Sequence, residues 1–253
     1  MRLAIELCYD GSNYYGWQIQ LNQITIQEVL IEKINQLCNR HIDIVGCGRT
    51  DTGVHANQYF IHLDAEDSDL NNLTLYKLNA VLPFDISILN IYQVSDHFSA
   101  RHDAYYRKYI YRIHNNKNPF NRSYSFYYYS IESESLIKLN QIAQLLGSTK
   151  NFNAFCKSKS GLENFECTIY ESQWKQISEH EFEFHIAANR FVRGMVRLCV
   201  GACLSYAAGN IGLEEIELAI SSQVQLDKSW SVPAHGLTLV EVRYPETVVF
   251  KKM

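Results

Sequence analysis

The chain has 253 residues, 47% of them apolar, and its 23 basic and 27 acidic side chains give a net charge of −4. This length suits one large domain or two packed halves, and the composition argues against a disordered chain. No apolar run approaches the roughly 20 residues that a membrane span needs, and Glu6 lies where a signal peptide would continue its apolar region. We therefore expect a soluble, cytoplasmic protein.

The seven cysteines are odd in number and contain no C-x-x-C pair. Cys199 and Cys203 are four residues apart in an apolar stretch, a spacing that two metal ligands can share, but no second pair accompanies them. Buried free thiols in a reducing compartment are the favoured interpretation, and we expect no metal site.

The first half of the chain mixes short strands with helices. Thr25-Ile26-Gln27-Glu28 has the form of a capping box, which predicts the start of a helix. Pro83 predicts the end of another, because the residue before a proline avoids helical geometry. The predicted elements are a strand at 3–9, a helix from 25 to about 39, strands at 42–45 and 58–63, a helix at 73–82 and a strand at 86–94.

The second half contains the longest predicted helix, and its Arg190, Arg193 and Arg197 are spaced to share one face. Two glycines on this helix, Gly194 and Gly201, would let another element pack closely. Strands and helices do not alternate strictly, which favours an α+β fold of two sheet-containing halves, 1–104 and 105–245, with a tail at 246–253. The predicted elements are strands at 105–113, 168–177, 182–187 and 237–244 and helices at 135–146, 190–208 and 213–221.

A basic, tyrosine-rich segment begins at the junction of the halves. From Arg101 to Arg122 there are six Lys or Arg residues and one acid, Asp103. Basic side chains interleaved with aromatic rings suit a phosphate backbone and an unstacked base, so the segment favours RNA as a partner although the chain is acidic overall. A tyrosine-rich strand with a solvated basic face is the alternative that this feature alone leaves open.

The densest chemical signal lies from Gly46 to Ala56, where Arg49 and Asp51 stand among three glycines between two predicted strands. Glycine permits positive φ and close approach of a ligand, so such a loop can present its side chains. An aspartate presented in this way can act as a nucleophile or base, and the arginine can hold a phosphate or a base edge. A structural hairpin closed by an Asx-turn is the alternative.

Four separated stretches together resemble the TruA family of tRNA pseudouridine synthases. They follow the family's order and extend over roughly residues 3 to 245, with weaker matches at 152–156 and 233–237. The stretches at 48–56 and 191–201 together are the most specific part of the resemblance. The stretches are Tyr9-Asp10-Gly11-Ser12-x-Tyr14-Tyr15-Gly16-Trp17-Gln18, Gly48-Arg49-Thr50-Asp51-x-Gly53-Val54-His55-Ala56, Ala100-Arg101-x-x-Ala104-x-x-Arg107-x-Tyr109-x-Tyr111, and Phe191-x-x-x-Met195-Val196-Arg197-x-x-Val200-Gly201.

This resemblance implies an enzyme that isomerises uridine to pseudouridine in tRNA, at positions 38 to 40 of the anticodon stem-loop. Asp51 matches the essential aspartate, which acts as the nucleophile, and Arg197 matches the basic residue that pairs with it. Tyr109 matches the tyrosine that packs on the base and is a candidate for proton transfer, and Arg49 matches the arginine that holds the target nucleotide out of the stack. The residues expected to bind the RNA are Arg49, Arg101, Arg107, Lys108, Tyr109 and Arg193.

The resemblance also implies a pseudouridine synthase fold with a catalytic cleft between two similar halves, and a homodimer. The reaction neither oxidises nor hydrolyses, so we expect no cofactor. A covalent ester of Asp51 and a glycal pathway both remain open. His102-Asp103 replaces the family's usual Phe-Ser and is expected to weaken RNA binding or alter the choice of tRNA. The competing functions are a non-catalytic tRNA-binding protein that retains the scaffold and a different carboxylate enzyme, which would need a second carboxylate or a ligand cluster.

Overall fold

The computed structural model describes residues 1–157, 161–226 and 230–253. It is a mixed α/β structure with five α-helices in these ranges. The strands are β1 (Arg2–Tyr9), β2 (Val45–Gly46), β3 (His55–Asp64), β4 (Ile86–Val94), β5 (Tyr106–His114), β6 (Phe126–Tyr127), β7 (Ile169–Ser178), β8 (Glu181–Ala188), β9 (Leu237–Arg243) and β10 (Lys251–Lys252). The helices are α1 (Ile26–Cys38), α2 (Leu75–Val81), α3 (Ser135–Ser148), α4 (Met195–Ala207) and α5 (Leu213–Ser222).

The chain divides into two compact units, Met1–Tyr106 with Leu239–Met253, and Arg107–Thr238. Residues 239–245, expected in the second half, thus group with the N-terminal unit. The expected tail is also part of that unit, since β10 pairs with β4 and the ring of Phe250 packs against Phe60 and Phe98.

In the first unit, β1 lies between β3 and β4 and is antiparallel to both. Its Leu3, Ala4 and Ile5 are completely buried, and because successive side chains of a strand point to opposite faces, both faces are covered there. Helix α1 begins after Thr25, whose side-chain oxygen accepts a hydrogen bond from the N–H of Glu28 at 3.3 Å. The predicted N-terminus of this helix is therefore confirmed, and α2 ends before Pro83 as predicted.

In the second unit, β8 lies between β5 and β7 and is antiparallel to both, while β6 pairs with β5 in parallel. Helix α3 packs on β7 and on α4. The side chains of Trp174, Phe182 and Phe184 are buried in this unit. The bounds of the strands and helices in this half were predicted to within a few residues. The exceptions are the two-residue strand β6, which was not predicted, and the start of α4.

Two predicted elements differ from the structure. Helix α4 begins at Met195 rather than Arg190, because Gly194 has a left-handed conformation with φ of 73° and cannot continue a helix. Arg190 and Arg193 therefore precede the helix, and the prediction that they share a face with Arg197 is wrong. The strand expected at 42–45 exists only as β2, since the residues before Val45 are not paired in a sheet.

The cysteines are free thiols, as predicted, and five of the seven are buried. Burial raises the pKa of the Cys203 thiol to about 12, which makes it unreactive at neutral pH. Within the described ranges no helix combines the length and apolar character of a membrane span.

Candidate active site

The loop between β2 and β3 presents Arg49 and Asp51 to the outside of the first unit. The N–H of Cys47 donates to the carbonyl oxygen of Phe60 at 2.8 Å, and the N–H of Val54 donates to that of Asp51 at 3.1 Å. The second bond closes a backbone turn around the aspartate. Arg49 is exposed and Asp51 is partly exposed, so the loop displays both charged groups.

The segment from Gly11 to Trp17 holds this loop from one side. A Cβ atom at Gly11 would lie 2.0 Å from the carbonyl oxygen of Val54, and one at Gly16 would lie 2.5 Å from that of Thr50. Gly16 also has a left-handed φ of 86°. The N–H of Trp17 donates to the carbonyl oxygen of Thr50 at 3.1 Å. The structure thus brings together two of the four sequence stretches, through backbone contacts that only glycine allows.

Three buried aromatic rings support the loop from below. The rings of Trp17 and Tyr59 stack with centroids 4.3 Å apart, and Tyr9 packs against Tyr59 at 5.6 Å. The hydroxyl of Tyr59 donates to the carbonyl oxygen of Gly48, and that of Tyr9 hydrogen-bonds with Thr50 Oγ1 at 2.8 Å. These contacts fix the backbone on both sides of Arg49 and so preorganise the neighbouring aspartate.

Arg49 and Arg101 line one groove of the first unit, with a volume of about 180 Å³. We call it the two-arginine groove. The side chains of Gln18 and Gln27 also line it, and none of the described residues that form it is acidic. Guanidinium groups are suited to bind a phosphate or a base edge, and amide groups can add hydrogen bonds to a base edge. Arg49 and Arg101, both expected to bind the RNA, thus line the same groove, and their role in binding stays a prediction.

Tyr109 and Arg197 belong to the second unit. Tyr109 lies on β5 and is 9% exposed, with its ring edge-on to Phe191 at 5.1 Å. Arg197 lies on the first turn of α4, and its Nε donates to the carbonyl oxygen of Val232 at 2.7 Å. That these two side chains form one site with Asp51 stays a prediction.

Arg197 is also close to Tyr111, whose hydroxyl donates to the carbonyl oxygen of Pro233 at 2.8 Å. Burial raises the pKa of Tyr111 and the positive charge of Arg197 opposes this shift, so the phenol stays protonated. A Cβ atom at Gly236 would lie 2.8 Å from the Tyr111 ring. The short match at 233–237 therefore packs against the matched strand of this unit.

The remaining basic residues differ in their surroundings. The ammonium of Lys108 pairs with Glu171 at 2.6 Å, and this pairing lowers the pKa of the carboxyl group against the effect of burial. Arg107 donates to the carbonyl oxygen of Asn189 at 2.8 Å, and Arg193 is exposed. The basic segment is thus partly neutralised within the fold, which its local sequence did not reveal.

Asp103 has a local structural contact. Its carboxylate accepts a hydrogen bond from the N–H of Ser99 at 2.8 Å, and its own N–H donates to the carbonyl oxygen of Ser99 at 3.1 Å. The unusual acid thus closes a turn just before the basic strand. Its effect on RNA selection stays a prediction.

Gln18 and Gln27 line the groove, although their positions in the sequence did not predict them as site residues. Gln27 Oε1 accepts hydrogen bonds from Gln18 Nε2 at 2.8 Å and from the N–H of Ile19 at 3.3 Å. Its Nε2 donates to the carbonyl oxygen of Ile44 at 3.2 Å. Gln18 ends the first matched stretch and Gln27 lies in the capping box, but neither position shows by itself that the two amides meet beside Arg49.

Comparison with known proteins places these features in a family. A family model described as tRNA pseudouridine synthase matches residues 142–245. The tRNA pseudouridine synthase A of Bacteroides fragilis is 36% identical over 249 residues, which is 98% of either chain. That of Bacteroides thetaiotaomicron is 37% identical over 251 residues, which is 98% of this chain and 92% of the relative. The chain belongs to the tRNA pseudouridine synthase A family.

Proposed function

We propose that this protein is an isomerase that converts uridine to pseudouridine in tRNA, with Asp51 as the nucleophile. The observation that carries the proposal is a carboxylate displayed on a braced glycine-rich loop beside a groove with two arginines. Membership of the tRNA pseudouridine synthase A family over nearly the whole chain supports it.

Uridine and pseudouridine contain the same atoms, so the reaction only changes which uracil atom is bonded to the ribose. In the nucleophilic route the Asp51 carboxylate bonds to the ribose C1′ while the bond from C1′ to the uracil N1 breaks. The uracil turns, its C5 bonds to C1′ as the carboxylate departs, and the proton on C5 is lost while N1 gains one. No electrons are exchanged with a partner, so the balance requires neither an oxidant nor a reductant. A carboxylate is suited to an electron-poor ribose carbon.

Three further residues complete the proposed site. Arg197 pairs with Asp51, keeping the carboxylate ionised and oriented. Tyr109 stacks on the extruded base and takes part in the proton transfer. Arg49 holds the target nucleotide out of the stack, as enzymes that act on a base inside a helix require. The proposed fold is that of the pseudouridine synthases, with two similar halves, 1–104 and 105–245, and a catalytic cleft.

The RNA is held by phosphate contacts from Arg101, Arg107 and Arg193, which are charge-assisted and independent of sequence. Lys108 would have to leave Glu171 to join them, so we expect it to contribute less. The target uridines are at positions 38 to 40 of the anticodon stem-loop. The enzyme works as a cytoplasmic homodimer, without a cofactor.

The test is tritium release from tRNA labelled at uridine C5, measured in single turnover. Asp51→Asn keeps the size of the side chain and removes its charge, and we expect the rate to fall by at least about 10³-fold. The tRNA dissociation constant should change by less than about threefold, because phosphate contacts provide most of the affinity. Asp43→Asn, at an exposed aspartate before the same loop, is the control and should match wild type.

Two outcomes would count against the proposal. Wild-type protein that binds tRNA but releases no tritium would be a binding protein that retains the scaffold. Full activity of Asp51→Asn would leave the isomerase assignment in place and remove Asp51 as its nucleophile.

A further inference from the structure

An exposed, uncharged turn follows directly after Trp17. Ile19, Leu21 and Ile24 in this turn are 44%, 89% and 61% exposed. Single exposed apolar side chains are ordinary on protein surfaces, but three within six residues concentrate apolar surface in one turn, and such a concentration often marks a binding surface. No charged residue occurs from Gly11 to Gln27. We call residues 18–24 the apolar turn.

The apolar turn is held by its own hydrogen bonds. The N–H of Tyr15 donates to the carbonyl oxygen of Ile24 at 2.9 Å, and Gln20 Nε2 donates to that of Tyr15 at 2.7 Å. Asn22 takes the left-handed conformation at the tip, with φ of 58°, which asparagine tolerates better than most residues. A tip fixed in this way loses little conformational entropy when it binds.

The base of the apolar turn is joined to the Asp51 loop and to the two-arginine groove. Trp17 donates to the carbonyl oxygen of Thr50, one residue before the aspartate. Gln18, at the start of the turn, lines the groove. The patch is therefore continuous with surface already assigned to the RNA, and it brings no acid that would repel a phosphate.

Leu21 is the most exposed of the three apolar side chains and lies beside Asn22 at the tip of the turn, and the two-arginine groove lies at the base of the turn. The groove is smaller than the roughly 300–1,000 Å³ of pockets for whole small molecules, so it suits part of a nucleotide in a longer chain.

We propose that the apolar turn is a wedge that enters the base stack of the RNA. Leu21 fills the space that the target nucleotide leaves when it is extruded, while Arg49 holds that nucleotide out of the stack and Arg101 binds a neighbouring phosphate. This inference rests on the proposed function. Apolar side chains inserted between base steps are a known means of stabilising unstacked nucleic acid, and a leucine has the size and polarity for it.

The test uses the full-length protein in single turnover on two tRNAs. On a tRNA whose target uridine is paired, Leu21→Ala should lower the rate by about 10-fold. On a tRNA whose target uridine faces a base with which it cannot pair, the loss should fall below about threefold, since less unstacking remains to be stabilised. Leu21→Phe should restore the rate. Leu75→Ala, at a leucine 45% exposed on α2, is the control and should match wild type on both RNAs.

Each contrary result has a distinct meaning. An active wild type with an unchanged Leu21→Ala variant overturns the wedge and leaves the proposed function standing, whereas an inactive wild type overturns both. An equal loss on the two tRNAs overturns the wedge in favour of a structural role. A change of molar mass by light scattering in Leu21→Ala overturns it in favour of a protein contact.

Discussion

The loop that carries Asp51 and the helix that carries Arg197 hold their charged side chains by different means. The backbone of the loop is held directly by the segment that contains Gly16. A Cβ atom at Gly16 would lie 2.5 Å from the carbonyl oxygen of Thr50, so no other residue permits this close approach. The contact is one residue from the aspartate. Any change in this contact is therefore transmitted directly to the position of the carboxylate.

In the helix, a hydrogen bond made by the arginine side chain itself holds the charged group in position. Arg197 Nε donates to the carbonyl oxygen of Val232, and the helix is packed four residues further on, where a Cβ atom at Gly201 would lie 1.7 Å from the carbonyl oxygen of Trp230. That packing contact is a full turn from the functional group. A glycine that contacts the Asp51 loop should therefore control activity, whereas a glycine in the helix should control stability.

The sharpest test of this difference is Gly16→Ala. The new Cβ atom meets the carbonyl oxygen of Thr50, and the left-handed φ is unfavourable for alanine. We expect the single-turnover rate to fall by about 100-fold, because displacements near 1 Å at a reacting group have effects of this size. Urea unfolding should show a loss of about 1–3 kcal/mol.

Gly209→Ala is the matched control for Gly16→Ala. Gly209 has a left-handed φ of 73°, but no heavy atom lies within 4 Å of where its Cβ would stand. This variant should lose about 1–2 kcal/mol of stability from backbone strain alone and keep the wild-type rate. If both variants lost activity equally, the contact with Thr50 would not be the cause.

Gly201→Ala should give the next largest effect and should act mainly on stability. The added methyl group is too close to a backbone oxygen, so the helix or the segment at Trp230 has to move. We expect the free energy of unfolding to fall by about 2–3 kcal/mol. Gly147→Ala in α3 is the control, since its nearest contact would be an ordinary 3.7 Å, and it should be neutral or stabilising by up to about 1 kcal/mol. Activity lost from folded Gly201→Ala protein would show that the packing of this helix also positions the reacting groups.

The sequence predicted the elements well where local chemistry decides them. Strand β4 has the predicted bounds, and α1 starts where the capping residue Thr25 places it. The start of α4 was missed because Arg190, Arg193 and Arg197 have helical spacing, while spacing does not reveal that Gly194 adopts a left-handed conformation. Local sequence signals predict local geometry, but a glycine is compatible with several backbone conformations, so residue spacing does not decide which one it adopts.

The candidate site was predictable only in part. Asp51 and Arg49 stand out because the glycines around them allow the loop to present its charged side chains to a ligand. Other contacts arise from tertiary packing and cannot be predicted from any single sequence position. They are the contact of Gly16 with Thr50, the amide pair of Gln18 and Gln27, and the ion pair of Lys108. The resemblance named the residues of the site but not the contacts that support them.

The smallest expected effect belongs to the hydroxyl of Tyr9, which hydrogen-bonds with Thr50 Oγ1 beneath the loop. Both side chains are buried, at 4% and 8% exposure. Tyr9→Phe leaves a buried hydroxyl without this partner, so we expect a loss of about 1–2 kcal/mol in urea unfolding. Because the clamp at Gly16 remains, the tritium-release rate should fall by less than about threefold.

A double-mutant cycle with Thr50→Val separates this hydrogen bond from other effects of the substitutions. Removing both hydroxyls leaves neither one buried alone, so the double variant should be more stable than the sum of the single losses by about 1 kcal/mol. Additive losses would show that the two hydroxyls do not stabilise each other. A rate that fell as far in Tyr9→Phe as in Gly16→Ala would show that side chains, and not the clamped backbone, position Asp51.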